Sequence, residues 1–264
     1  MRRSVVLLAA VGCASPAAGP PVDLTRVELV DLTHALGDQT IFWPTSPTRF
    51  KLDTLVFGAT PSGYFYSAFA FATPEHGGTH IDAPMHFQQG GASVDRVELE
   101  RLVAPAVVID ISTKAASDPD YRLTPEDIQA FEAEHGPIPA GVIVLLRTGW
   151  SSRWPDAKAY LGDDTPGDAS KLHFPSYGVE AARLLVEERR VAALGVDAAS
   201  IDYGPSTDFD VHRVAAAAGV PGFENLTNLD RLPPTGAVVV ALPIKIKGGS
   251  GGPLRAIALV PRAG

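Results

Sequence analysis

Three histidines and one aspartate lie within eleven consecutive positions of this 264-residue chain, which has only seven histidines in all. The four residues are His76, His80, Asp82 and His86. A Gly-Gly pair and a proline inside the stretch argue against a helix and favour a turn followed by an extended segment. Because side chains alternate faces in such a segment, His80 and Asp82 point to the same side, and His76 reaches them through the turn. Two imidazoles and a carboxylate on one centre predict a site for a divalent cation, zinc or manganese.

His86 stands four residues beyond Asp82 and is expected to face the molecule that the metal holds. A metal on the other three side chains lowers the pKa of bound water to about 7, so hydroxide is available at neutral pH. Hydroxide that attacks a carbonyl carbon needs a nearby group to protonate the atom that leaves. His86 is therefore the candidate proton shuttle from water to the leaving atom. The chain offers no G-x-S-x-G nucleophile elbow, because its glycine-rich residues 247–253 lack the strand–loop–helix context, and its one cysteine, Cys13, lies near the N-terminus. Both observations argue against covalent catalysis.

Blander interpretations of the same stretch carry less weight. A single histidine in such a segment is more often a hydrogen-bonded polar residue than a ligand, but four candidate ligands beside backbone-bending glycines favour a metal site. A disordered His-rich tract does not fit, because the apolar side chains of Ile81, Met85 and Phe87 interleave with the polar ones.

The motif has a specific resemblance to a known family. It is similar to the H-x-G-T-H-x-D-x-P-x-H pattern of the metal-dependent cyclase family, which includes bacterial kynurenine formamidases and isatin hydrolases. The matching residues are His76-Gly77-Gly78-Thr79-His80-Ile81-Asp82-Ala83-Pro84-Met85-His86. The pair Trp43-Pro44 also resembles the start of family members, where this tryptophan lines the substrate pocket; from the sequence alone, packing explains Trp43 equally well.

A second region of the chain resembles the family's second functional stretch. His212 and Glu224 stand twelve residues apart, as do a histidine and a glutamate that complete the family's metal site. Taken alone, both would be surface residues. The resemblance implies that they are metal ligands, with one or two ions in the site. If two ions bind, Asp82 bridges them while His212 and Glu224 hold the second.

The resemblance implies a metal-dependent hydrolase that cleaves a carbon–nitrogen bond of a small aryl amide. The substrate is a cyclic amide such as isatin or an aryl formamide such as N-formylkynurenine, and lactone hydrolysis stays open because the same hydroxide attacks either carbonyl. The sequence of residues 200–209 most resembles the isatin hydrolase branch of the family. A non-enzymatic alternative is an exported metal-binding lipoprotein, which would not need His86.

The N-terminus reads as an export signal. Arg2 and Arg3 form a charged region, Ser4 to Val11 is a short apolar run, and Cys13 follows small residues where a lipoprotein signal places its lipidated cysteine. We therefore predict a leader and linker over residues 1–21, a hydrolase domain over 22–264, and a periplasmic or membrane-anchored location. A buried structural cysteine is the alternative interpretation of Cys13.

Composition limits the partners. Hydrophobic residues make up 45% and charged residues 20% of the chain, as in a globular protein. The formal net charge of -8 argues against nucleic acid and anionic membranes as partners. A small-molecule substrate remains, and we expect a homodimer.

The elements that must position these residues form an α/β pattern of roughly seven to nine strands and three helices. Buried strands are predicted around 106–111, 141–147, 191–197, 237–242 and 255–260, and helices over 124–135, 177–190 and 210–219. Residues 51–57 and 64–73 predict a hairpin with one face in the core, the other face being a candidate wall of an aryl pocket. Residues 247–253 are expected to form a flexible loop, and His34 to cap its own loop through a hydrogen bond. The family resemblance implies a swivelling β/β/α domain, a barrel-like mixed sheet flanked by helices.

Overall fold

A computed structural model of the chain describes residues 24–262. The predicted leader, residues 1–21 with Cys13, lies outside the described residues. The strands are β1 Val27–Asp31, β2 Lys51–Ala59, β3 Phe65–Ala72, β4 His80–Asp82, β5 Val103–Asp110, β6 Arg122–Leu123, β7 Ile143–Arg147, β8 Ser176–Tyr177, β9 Ala193–Val196, β10 Gly222–Glu224, β11 Thr235–Pro243 and β12 Gly251–Pro261. The helices are α1 Leu99–Leu102, α2 Ser112–Ser117, α3 Pro125–His135, α4 Ala157–Leu161, α5 Val179–Arg183 and α6 Asp210–Ala217.

Seven strands close into a barrel-like ring. Their order is β12-β11-β5-β7-β9-β10-β4, and β4 pairs again with β12, while β1 adds to the outer edge of β12. Strands β5, β7, β9 and β10 run parallel, whereas β11, β12 and β4 meet their neighbours antiparallel. The predicted barrel-like mixed sheet flanked by helices is confirmed.

Alternate residues of β7 show why this sequence forms a layered structure. Val144 and Leu146 pack against the helices outside the ring, whereas Ile143 and Leu145 fill its interior. Both sets are buried and apolar, as expected for a parallel strand covered on both faces, and only Arg147 at the end of the strand is polar. The interior is thus a packed core, and the functional site must lie at an edge of the ring.

Helix α3 begins where its capping residues predict. Thr124 accepts a hydrogen bond from the Asp127 amide, and the Asp127 carboxylate accepts one from the Thr124 amide, which forms a capping box at the start of α3. The predicted helices at 177–190 and 210–219 are present as α5, with a π-helical continuation over Leu184–Glu188, and as α6. Twelve strands and six α-helices occur within residues 24–262, more than predicted, because the additional elements are short.

The hairpin β2–β3 differs from the prediction. It forms where expected, but both faces are exposed, so the expectation that one face is core is wrong. The hairpin pairs with no other strand of the described chain, and its apolar side chains are in contact with solvent. No helix within residues 24–262 is long and apolar enough to cross a membrane.

Candidate active site

The candidate site lies where the short strand β4 closes the ring. Strand β4 carries His80 and Asp82, and its partner β10 places Glu224 directly opposite His80. Asp82 stands opposite Gly222 of β10 on one side and opposite Gly251 of β12 on the other. The twelve-residue interval between His212 and Glu224 therefore corresponds to α6 and the turn that returns the chain to β10.

The first cluster is built around one oxygen of Asp82. His76 Nδ1 lies 2.6 Å and His80 Nε2 3.2 Å from Asp82 Oδ1. His80 Nδ1 donates to the Gly78 carbonyl at 2.9 Å, which turns Nε2 towards the centre. The predicted convergence of these three side chains is what the structure shows, and together they form one group able to hold a metal ion.

The second cluster uses the other oxygen of the same aspartate. His212 Nε2 lies 2.9 Å from Asp82 Oδ2 and 3.1 Å from Glu224 Oε1. These three residues form a second group able to hold a metal ion. Within the described residues, Asp82 alone belongs to both groups. A carboxylate that bridges two metal ions requires this arrangement.

Asp202 holds His212 in place and was missed by the sequence reasoning. Its Oδ2 accepts hydrogen bonds from His212 Nδ1 at 2.6 Å and from the His212 amide at 3.1 Å, while its Oδ1 accepts one from the Val211 amide. The carboxylate thus fixes both the start of α6 and the proton of the imidazole on Nδ1. Asp202 belongs to the Ser-Ile-Asp sequence of residues 200–202, which resembles the family. A loop residue follows no helical or strand periodicity, however, so its partner could not be predicted from the sequence.

The electrostatics of the cluster favour positive charge. Burial lowers the pKa of His80, but the hydrogen bond and charge of Asp82 and the charge of Glu224 outweigh it and raise the pKa to about 9. For His212 burial is likewise outweighed, by Asp202, Asp82 and Glu224, and its pKa lies well above the usual value. Burial raises the pKa of Asp82, yet hydrogen bonds from His212, His76 and His80 bring it well below its usual range.

Buried carboxylates that stabilise extra positive charge on their histidine neighbours suit a divalent cation, which supplies that charge without protons. The donor set of imidazole and carboxylate is also the one that zinc and manganese accept. The residues present therefore fit the predicted metal.

His86 lies at the mouth of the pocket, beside the cluster. Its ring stacks on that of His76 with 3.8 Å between centroids and lies 6.2 Å from that of His212. Partial desolvation lowers the pKa of His86 to about 4, so the ring is neutral at pH 7, although part of it stays in contact with solvent. Among residues 24–262 its ring nitrogens have no hydrogen-bond partner, so both are free to meet a ligand or water.

The cluster opens into a cavity of about 290 Å³ with mainly apolar walls. Trp43 lines it as predicted, together with Phe42 and Phe87. The rings of Trp43 and Phe209 lie 6.2 Å apart, and Phe87 lies 5.4 Å from Phe209 and 4.5 Å from His212. The volume is at the lower end of the range for small-molecule pockets.

Three expectations about this region are wrong. The aromatic residues of the hairpin are not among those that line the cavity; Phe42, Trp43, Phe87 and Phe209 supply its aromatic walls. His34 does not cap its loop through its ring: buried Nε2 has no hydrogen-bond partner in the described chain, and the ring stacks on Trp154 at 4.2 Å. The stretch 247–253 is not loop throughout, because residues 251–253 begin β12 and Gly251 pairs with Asp82.

The chain is similar to known proteins over most of its length. The model of the family described as "Putative cyclase" matches residues 30–203. The chain belongs to the cyclase family. An isatin hydrolase from Roseibium aggregatum is 37% identical over 251 residues, covering 90% of this chain and 94% of that protein. A kynurenine formamidase from Salinibacter ruber is 29% identical over 231 residues, covering 87% of this chain and 96% of that protein.

A solved cyclase-family structure shares the fold. The crystal structure of an isatin hydrolase bound to the product analogue thioisatinate matches with a TM-score of 0.82 at 34% identity, covering 90% of this chain and 94% of that one. With the two ligand groups of the site, these relatives make this cyclase-family chain a metal-dependent hydrolase of carbon–nitrogen bonds other than peptide bonds.

Proposed function

We propose that this cyclase-family hydrolase opens a small cyclic aryl amide such as isatin. The observation that carries the proposal is the shared carboxylate of Asp82, with a ligand group on each of its oxygens, at the base of an aromatic-walled cavity. A flat bicyclic amide suits a cavity walled by tilted aromatic rings, such as those of Trp43, Phe87 and Phe209. The 37% identity to an isatin hydrolase, against 29% to a kynurenine formamidase, supports the cyclic substrate over the formamide.

The metal of this proposal is zinc or manganese, as one or two ions. His76, His80 and Asp82 would hold one, and Asp82, His212 and Glu224 a second. When bound, the metal supplies Lewis-acid polarisation of the substrate carbonyl and water of lowered pKa. The apolar walls exclude bulk water and so strengthen these electrostatic effects.

His86 moves the proton in the proposed reaction. The oxygen of a water molecule forms a bond to the amide carbon, and the carbon–nitrogen bond breaks. His86, neutral at pH 7, accepts a proton from that water and gives it to the departing nitrogen, which stays attached to the ring as an arylamine. The new carboxyl group releases its own proton to solvent. The stack on His76 orients the imidazole beside the ligand groups, and delivery of the proton to nitrogen leaves the ring neutral again.

The experiment that tests this function compares substrates side by side on protein loaded with Mn²⁺ or Zn²⁺. We expect kcat/KM for isatin to exceed that for N-formylkynurenine and for a simple aryl lactone, with Asp82→Ala as the inactive control. A preference for N-formylkynurenine would assign the chain as a kynurenine formamidase, and a preference for the lactone as a lactone hydrolase. Metal binding without turnover of all three would favour the non-enzymatic metal-binding lipoprotein.

The exposed hairpin supports a homodimer as the working form. Nine large apolar side chains of this hairpin are each between 42% and 69% exposed. They are Leu52, Leu55, Val56, Phe57, Tyr64, Phe65, Tyr66, Phe69 and Phe71. At about 100 Å² each they present roughly 900 Å², slightly more than the roughly 800 Å² that one partner contributes to a standard interface. A two-stranded hairpin alone in water is marginally stable, so a second copy of the chain that covers it would also stabilise it.

The leader supports export as a lipoprotein anchored through Cys13. A lipid on Cys13 would hold the globular part of the chain at a membrane surface without a membrane-spanning helix. Cys13→Ser is expected to move the protein from the membrane to the soluble fraction, with Ser4→Ala as a control in the same leader. Wild-type protein recovered soluble with residues 1–12 intact would contradict export.

A further inference from the structure

The nitrogen of His76 that points away from the ligand groups is held by a serine far along the chain. His76 Nε2 lies 2.9 Å from Ser250 Oγ, across an interval of 174 residues. Ser250 Oγ also lies 2.6 Å from Glu75 Oε2, which accepts a second hydrogen bond from the Ser250 amide at 2.9 Å. A chain of side chains therefore runs from Glu75 through Ser250 to His76 and on to Asp82.

The direction of these hydrogen bonds follows from the chemistry of the groups. An ionised carboxylate only accepts, so the hydroxyl proton of Ser250 goes to Glu75. The Ser250 oxygen must then accept from His76, which places the imidazole proton on Nε2. Nδ1 faces the centre, 2.6 Å from Asp82 Oδ1, where it donates to the carboxylate when protonated and would offer its lone pair to a metal when the ring is neutral. A metal binds the unprotonated nitrogen of a neutral imidazole, and the hydrogen bond of the other nitrogen decides which one that is.

The backbone around Ser250 is shaped to this contact. A Cβ on Gly249 would lie 2.6 Å from Glu75 Oε1, and a Cβ on Gly251 would lie 2.4 Å from the Ile81 carbonyl oxygen and 2.6 Å from His76 Cε1. The Ser250 carbonyl accepts from the Ala83 amide at 2.9 Å, which joins the loop to the end of β4. Both glycines thus let the loop approach His76 as closely as the hydrogen bond requires.

We propose that Ser250 and Glu75 are positioning residues that fix the tautomer and orientation of His76 for metal binding. The proposal rests on the proposed metal site and extends it to a loop from the other end of the chain. Neither residue touches substrate. Their effect is exerted through His76, so they should govern the affinity for metal before they govern the chemical step.

The test measures the Kd for Mn²⁺ by titration calorimetry. Ser250→Ala is expected to weaken Mn²⁺ binding by about 10–100-fold, the usual effect of losing such a partner, and Glu75→Gln to weaken it as well. Ser250→Thr keeps the hydroxyl and should restore most of the affinity. In the zinc-loaded protein, the nitrogen-15 NMR signal of His76 should report a proton on Nε2 in the wild type and in Ser250→Thr, and exchange broadening in Ser250→Ala.

The matched control is Ser93→Ala. Ser93 donates to Asp95, whose carboxylate accepts from the Gly248 amide, so this serine anchors the same loop without touching His76. Its variant should keep the wild-type Kd for Mn²⁺. Equal weakening by Ser93→Ala and Ser250→Ala, or an unchanged Kd in Ser250→Ala, would overturn the proposal. A wild type that does not bind Mn²⁺ at all would instead contradict the metal site itself.

Discussion

Asp202 and His212 form a 2.6 Å hydrogen bond that joins a loop carboxylate to a ring facing the metal-ligand group. The same Asp202 oxygen accepts from the backbone amide of His212, so ring and helix start are fixed by one atom. The opposite nitrogen of the ring is thereby directed at Asp82. The position of a candidate ligand thus depends on a residue that belongs to neither ligand group.

Asp202→Asn tests this dependence. Both carboxylate oxygens of Asp202 accept a hydrogen bond from a backbone N–H group. In the variant one of these oxygens is replaced by an NH₂ group, which cannot accept and would face that N–H group. We expect metal affinity to fall by about 10–100-fold. Titration with Mn²⁺ measures this, and Asp208→Asn, an exposed change in the same loop, is the control. An affinity equal to that of the control would contradict the role of Asp202.

His86→Ala separates proton transfer from metal binding. The variant should keep most of its metal and lose kcat by about 10²–10⁴-fold, since a positioned acid–base group acts mainly in the transition state. His76→Ala and Asp82→Ala should lose metal and activity together. Elemental analysis beside steady-state kinetics distinguishes the two classes. If His86→Ala lost metal in step with activity, His86 would be a ligand and His212 the next candidate for the shuttle.

His34 gives the fold a dependence on pH. Burial lowers the pKa of His34 to about 4, from 6.5 in the unfolded chain. The unfolded chain therefore binds this proton more readily, and the contribution to stability, complete above pH 6.5, is lost as the pH falls towards 4. His34→Phe keeps a ring on Trp154 without a titrating group. Melting temperatures of both proteins from pH 7 to 4 should fall less steeply for the variant, and parallel curves would refute this account.

The hairpin predicts a specific loss of assembly. Phe57→Asp with Phe69→Asp places charges among the exposed rings of the two strands and should convert a dimer to a monomer, because a buried unpaired charge is costly. Light scattering after size exclusion measures the mass. Leu99→Asp changes an equally exposed apolar residue elsewhere and should leave the dimer intact. A wild type that is monomeric at about 10 μM would contradict the homodimer.

The convergence of His76, His80 and Asp82 could be predicted from the sequence because it depends on local geometry, a turn and the two-residue period of a strand. The buried strands could be predicted for a similar reason, since β7 and β9 are continuous apolar runs. The hairpin position followed from its turn, but its burial did not. The sequence of an apolar strand face does not show whether the protein's own core or another molecule covers that face.

Long-range partners were beyond the sequence pattern. Ser250 meets His76 because β12 pairs with β4, and nothing in a Gly-Ser-Gly stretch indicates which strand it will join. Asp202 was likewise one acid among several in a turn-rich segment. Phe209 has a positive φ of 51°, a conformation that aromatic residues rarely adopt and that sequence propensity predicts against.

The three-residue strand β4 has a consequence for the order in which the chain folds. Its two partners in the ring, β10 and β12, both lie far along the chain from it. Pairings between distant segments form late, because the entropy of closing a long loop is lost before the contacts compensate for it. We therefore expect the two ligand groups that share Asp82 to come together only in the folding step that closes the ring.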